Sequence, residues 1–303
     1  MGLVLAGCRE RAPQVEPVSD AGTPASTQAI SPVPAPAHPA YDLDSDLRSR
    51  IANARAELGD DMRVVVERDV FLFVGPKSGA MFDGAVHLAH DALQAYFNDR
   101  FSTPPERAVV VVLFSSTPSY AAFCAKRYGA KCSTTLGLYQ RASREIILDL
   151  SLGLPTLTHE LVHPIVQRDF PSAPAWLDEG LAALYEEPVF PRPGEIHGAT
   201  NWRHPRLVAA LTSKTERSKA RLDALFAMSD AEFRGPDEDL HYAMARELCQ
   251  WLDSRGQLWP FYRAWRDSPT HDSTTGESAF LRIVGETPEQ ADAEWVKWVR
   301  AHK

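Results

Sequence analysis

The chain has little cysteine, no long apolar run and no excess of positive charge, and each shortage removes a class of protein. Four cysteines in 303 residues are too few for a disulfide-built scaffold, so a hydrophobic core must hold the fold. No stretch approaches the roughly 20 apolar residues that cross a bilayer as a helix. The formal net charge is −8, with 32 Lys and Arg against 40 Asp and Glu. Both signs are mixed along the chain, which leaves no basic stripe to track a phosphate backbone, so nucleic acid is not an expected partner. Small molecules, peptides and proteins remain.

The sequence opens MGLVLAGC, and Leu5-Ala6-Gly7-Cys8 resembles the lipobox of bacterial lipoprotein precursors. Residues 1–8 are read as the end of a truncated lipoprotein signal, with Cys8 the lipidated residue. The resemblance implies a bacterial cell-envelope location, periplasmic or on the outer surface, with membrane contact only through the lipid. Residues 9–41 are rich in Pro, Ala, Ser and Thr, with almost no large apolar side chains; they cannot bury enough surface to order themselves and read as a tether. Residues 42–303 are evenly globular and read as one catalytic unit. Cys124 and Cys132 flank a turn at Tyr128-Gly129-Ala130, and form either a disulfide in an oxidising compartment or two buried thiols. Cys249 falls on the apolar face of a helical pattern and reads as core.

Residues 63–74 (RVVVERDVFLFV) present two β-rich runs around a polar centre, a hairpin signal. Residues 84–101 carry apolar positions at helical spacing, and residues 118–126 continue in helical style. Residues 108–114 (AVVVVLF) are apolar throughout, as in a strand buried on both faces. Residues 136–139 and 145–150 read as two more strands, and everything after Pro155 as helix and loop. Strands first and helices afterwards predict an α+β fold, a mixed N-terminal sheet with helices followed by a mostly helical half.

Residues 158–163 read THELVH. On a helix, His159 and His163 lie on one face with Cβ atoms roughly 5 to 6 Å apart, so both imidazoles can reach one metal ion. Glu160 is one step around, beside the metal instead of on it, where it can take a proton from a metal-activated water. A catalytic zinc needs a third protein ligand and an open position. Residues 175–186 (AWLDEGLAALYE) offer Glu179, sixteen positions after His163 on an amphipathic helix, although a lone Glu is more often a solvated surface group.

The HExxH of residues 158–163 followed by Trp176-Leu177-Asp178-Glu179-Gly180-Leu181-Ala182 resembles the gluzincin metallopeptidases, closest to small bacterial members of unknown substrate. The resemblance covers residues 136–187, with a weaker echo at 241–252. It implies a zincin-like fold with the active site between the two halves, and one zinc per chain held by His159, His163 and Glu179. Glu160 would be general base in peptide-bond hydrolysis, with a peptide or protein as substrate. It also implies an oxyanion-stabilising Tyr or His on a later helix; only one of His241 and Tyr242 can face the zinc, and Tyr242 is preferred over a capping or core role. Residues 145–150 correspond to the edge strand on which family members lay an extended substrate. Two features depart from the pattern. Pro164 directly follows a ligand and should kink the helix, and position 183, where relatives place an Asp that orients a ligand His, is Ala183. Asp178 and Glu186 are the candidate replacements, unranked. His87, His90, His197 and His204 read as non-ligands, and Trp259, Phe261, Trp265, Trp295 and Trp298 as core. The alternatives to a peptidase are a zinc amidase acting on cell-wall peptide and a non-catalytic tethered binding module.

Overall fold

The runs of Val, Ile and Phe assemble into one five-stranded sheet in the computed structural model, which describes residues 41–77, 79–129, 137–268 and 276–302. The strands are β1 (Met62–Glu67), β2 (Phe71–Pro76), β3 (Val109–Phe114), β4 (Gly137–Gln140) and β5 (Glu145–Asp149), ordered β1-β2-β3-β5-β4. The three inner strands are parallel, and β1 and β4 add antiparallel at the two edges. The predicted hairpin turns through Arg68 and Asp69, at φ of 48° and 64°. Side chains alternate as the pleat requires. Phe71, Phe73, Val111, Ile146 and Leu148 enter the main core, while Leu72, Val74, Val112 and Ile147 face a smaller core on the other side.

Helices α1 (Leu43–Leu58) and α3 (Thr117–Tyr128) cover the smaller core; α2 (Ala80–Ala95) and α4 (Pro155–Asp169) pack on the main one. The α1 helix escapes the sequence reading because its apolar stripe, Leu47, Ile51, Ala54 and Leu58, is only half-buried. The chain then turns helical: α5 (Ala175–Leu184), α6 (Arg203–Thr212), α7 (Leu222–Ala227), α8 (Asp230–Phe233), α9 (Glu238–Ser254), α10 (Leu258–Arg266), α11 (Glu277–Val284) and α12 (Pro288–Ala301). A two-residue ladder, β6 (Pro188–Val189) with β7 (His197–Gly198), is the one further pairing among the described residues. The fold is α+β, with the mixed sheet on the N-terminal side.

One expectation about the sheet is corrected. The edge strand next to α4 is β4, not residues 145–150, because the chain reverses after Gln140 and inserts β5 between β3 and β4. Ile146, Ile147 and Leu148 are apolar on both faces and are buried there, whereas every residue of β4 is only half-buried. The helix α4 also continues through Pro164 to Asp169 as one segment; the proline removes only the backbone donor to the Glu160 carbonyl. Cys249 is buried and free, and Trp259, Phe261, Trp265 and Trp295 are core. Cys124 is buried and disulfide-bonded. Cys132, like residues 1–40 with Cys8 and the tether, lies outside the described residues.

The sheet and the helical half meet where α5 passes between α4 and α9. Gly180 makes this passage possible, since a Cβ there would sit 2.9 Å from the Ala245 carbonyl oxygen and 3.0 Å from Cys249 Sγ. A backbone carbonyl cannot yield as a side chain does. Gly180→Val should therefore cost about 1 to 3 kcal/mol by overpacking, lowering Tm by roughly 2 to 10 °C at this chain size. Thermal unfolding followed by circular dichroism checks this; an unchanged Tm would mean the α5–α9 contact is looser than described.

Candidate metal centre

Helix α4 starts at a proline suited to a first helical turn and buries Leu157, Leu161, Val162, Ile165 and Val166. With that side fixed in the core, His159 and His163 project together toward α5, their rings 5.0 Å apart and at 77°. Across the gap, α5 presents Glu179. Its Oε2 lies 3.3 Å from His159 Nε2 and 3.8 Å from His163 Nε2, and the three donor atoms fall within 4.8 Å of one another. Tetrahedral zinc at about 2.0 to 2.1 Å from its ligands separates them by about 3.3 Å, so the set is close to closed around one ion. It is the single such group among the described residues; His87, His90, His197 and His204 stay outside it.

The donors fit a metal for a second reason. Glu179 Oε2 is buried and has no hydrogen-bond partner, although it faces two imidazole nitrogens. A buried carboxylate oxygen without a hydrogen bond is costly. An ion between the three side chains would supply what it lacks.

Both candidate replacements for the residue absent at position 183 are in use, one behind each histidine. Asp178 Oδ1 lies 2.9 Å from His163 Nδ1, and Arg141 holds the other oxygen of that carboxylate at 2.8 Å. Glu186 Oε1 lies 3.2 Å from His159 Nδ1, within ion-pair range but off the line of a good hydrogen bond. Arg203, at 2.7 Å, and Asn201, at 2.8 Å, fix Glu186 in place. Carboxylates at both Nδ1 atoms leave both Nε2 atoms to face Glu179, where they could serve as ligands. The Tyr139 ring stacks on His163 with 13° between planes, and its hydroxyl donates to Gln167 at 2.6 Å.

Glu160 is buried beside the pair and makes no hydrogen bond among the described residues. Its carboxyl is pushed up by burial, with His163 and His159 pulling the other way. Gly137 of β4 packs against it: a Cβ there would come within 3.3 Å of Glu160 Cγ and 2.5 Å of Thr156 Cγ2. His159, Glu160, His163 and Glu179 all line a cavity of about 550 Å³.

Of the two adjacent candidates on α9, Tyr242 lines this cavity, whereas His241 turns away and places Nδ1 3.0 Å from the Phe233 carbonyl oxygen. Burial and the nearby Glu179 carboxylate hold the Tyr242 hydroxyl well above the usual phenol range, so it stays a donor. The sequence reading missed Arg234, which donates to both Glu179 and the Tyr242 hydroxyl. It sits after the four-residue α8, where no spacing rule ties it to the motif. Arg203 and Arg141 were missed for the same reason.

Burial disfavours the His159 cation, but Glu179 and Glu186 outweigh it and push the imidazole up to about 10. His163 is raised as well, burial again opposing Asp178 and Glu179. Burial likewise opposes the downward shifts of Glu179, held low by the two histidines and Arg234, and of Glu186, held at about 2 by His159 and Arg203. A raised histidine stabilises the metal-free fold fully below its unfolded value near 6.5, and that contribution disappears as pH climbs toward 10. The proton also competes with the metal for Nε2. The metal-free Tm should therefore fall between pH 7 and 10 while zinc affinity, measured against a chromophoric chelator, rises over the same range. Opposite trends would refute this charge arrangement. Asp178→Asn and Glu186→Gln should each weaken zinc about 10- to 100-fold; unaltered affinity in both would leave these carboxylates no role behind the histidines. Neither a family model nor a curated protein matches the chain.

Proposed function

We propose that this chain is a zinc-dependent peptidase of zincin-like architecture that hydrolyses a peptide bond with Glu160 as general base. The observation that carries the reading is the combination of three buried donors, each histidine backed by a carboxylate, with an uncommitted fourth carboxylate facing the same cavity. Zinc, when bound, supplies Lewis acidity toward water and the substrate carbonyl. Glu160 accepts the proton that water gives up on attacking the carbonyl carbon and returns it to the leaving amine as the C–N bond breaks. Its burial brings proton affinity closer to a neutral working pH, which suits a group that must both take and give. Tyr242 donates to the oxygen that becomes negative, held in position by Arg234. The free edge of β4 offers backbone donors and acceptors to an extended peptide.

A structural zinc is normally closed by four protein ligands; here three donors meet and the remaining side opens to the cavity, which disfavours a purely non-catalytic module. A zinc amidase acting on cell-wall peptide would use the same groups and differs only in substrate. Glu160→Gln should abolish turnover of a peptide library while retaining zinc, and Tyr242→Phe should lower kcat about 10²- to 10³-fold with little change in KM. Turnover surviving Glu160→Gln would exclude the proposed general base.

A further inference from the structure

The cleft continues past the metal ligands. Tyr139 and Arg141 are shared between the central cavity and a second one of about 360 Å³, whose lining also holds Arg107, Arg144, Arg168 and a single acid, Glu106. Arg168 is paired with Glu106, Arg144 reaches Asp46 at 3.7 Å, and Arg141 is turned to Asp178. Arg107 is exposed and makes no ion pair among the described residues; its guanidinium lies over the Tyr41 ring, 4.9 Å from the centroid. With Glu106, Asp46 and Asp178 each holding one of these guanidiniums, Arg107 is the one left without a counter-ion among the described residues, and the compartment keeps a net positive charge in a chain whose net charge is −8. The opposite end of the cleft has another character: exposed Leu152 and Trp202 line it with Glu186 and Glu187, and its one guanidinium, Arg203, is committed to Glu186.

The strand connects the two compartments. Gly137 abuts Glu160 and Tyr139, two residues on, stacks on His163, while Arg141 lies just past the strand's end and reaches Asp178. At about 3.3 Å per residue, the end of the strand at Gln140 lies about 10 Å from Gly137, and Arg141 opens the turn that follows. An extended chain added to the β4 edge with its reacting bond at Glu160 would thus reach the basic compartment three or four residues away.

We infer that the basic compartment beyond β4 is a subsite for a carboxylate of the bound peptide, either an acidic side chain or the chain's own C-terminus. The inference rests on the peptidase reading for its ligand class, so its test uses binding instead of turnover. Zinc-loaded Glu160→Gln protein would be titrated calorimetrically with nonapeptide amides that carry Asp or Asn at each position in turn. A second arm would use otherwise neutral peptides ending in a free acid or an amide. The expected result is about tenfold tighter binding of the acidic member at one position, weakening with added salt as exposed charges do. The preference should collapse in Arg107→Gln/Arg168→Gln and invert in Arg107→Glu/Arg168→Glu. A preference in the first arm identifies a side chain as the ligand, and one confined to the second identifies the terminus. Equal affinities in both arms, or a preference that survives both double variants, would overturn the subsite. If the acidic peptides bind with this preference and the wild type cleaves none of them, the subsite stands and the peptidase reading falls.

Discussion

Burial of charge is the constraint on which this structure depends. Glu160, Asp178, Glu179 and Glu186 crowd two imidazoles in a space where none of the six is more than 8% exposed. Burying ions without compensation costs several kcal/mol apiece. Arg141, Arg203 and Arg234 each neutralise one carboxylate from the rim. With neutral imidazoles, the carboxylate left without an arginine is Glu160, and Glu179 Oε2 beside it has no hydrogen-bond partner. Protons on His159 and His163, or a divalent cation among the three donors, meet that same demand. The raised imidazoles of the metal-free protein and the proposed metal site answer one electrostatic requirement.

The surrounding fold serves that centre. Helix α4 can present two polar side chains inside the molecule because its apolar residues are locked into the main core. Helix α5 can come close enough to offer Glu179 because Gly180 lets it press on α9, and Thr158 ties the two helices by donating to the Tyr185 carbonyl at 2.6 Å. On the other side, Gly137 lets an edge strand approach Glu160 without displacing it. The cleft between β4 and the helical half thus brings the proposed metal centre, a strand edge unpaired among the described residues and a basic compartment together.

Much of this was legible in the sequence because helical periodicity is short-range. Two histidines four apart and a Glu on the next amphipathic helix needed only one reversal of the chain to meet. Asp178 and Glu186 were legible only as unranked candidates to orient a histidine, and their division, one to each ring, depends on how α4 and α5 cross. The long-range relations were not legible. Sequence order cannot reveal that β5 inserts inside β4, since both strands pair in any ladder and only the position of the turn after Gln140 exposes one of them. Arg234 reaches the site from a short connection whose path is set by packing, and Arg107, Arg141 and Arg168 converge from three separate elements. Helix α1 was missed because amphipathic signal scales with burial, and none of its residues is fully buried.

In the proposed mechanism His159, His163 and Glu179 together hold one catalytic zinc. Elemental analysis of exhaustively dialysed protein, wild type beside Glu179→Ala, tests it most directly. The expected result is about one zinc per chain in the wild type and its loss in the variant, with both proteins folded by circular dichroism. A wild type that binds no zinc, or a Glu179→Ala protein that retains it undiminished, would contradict it.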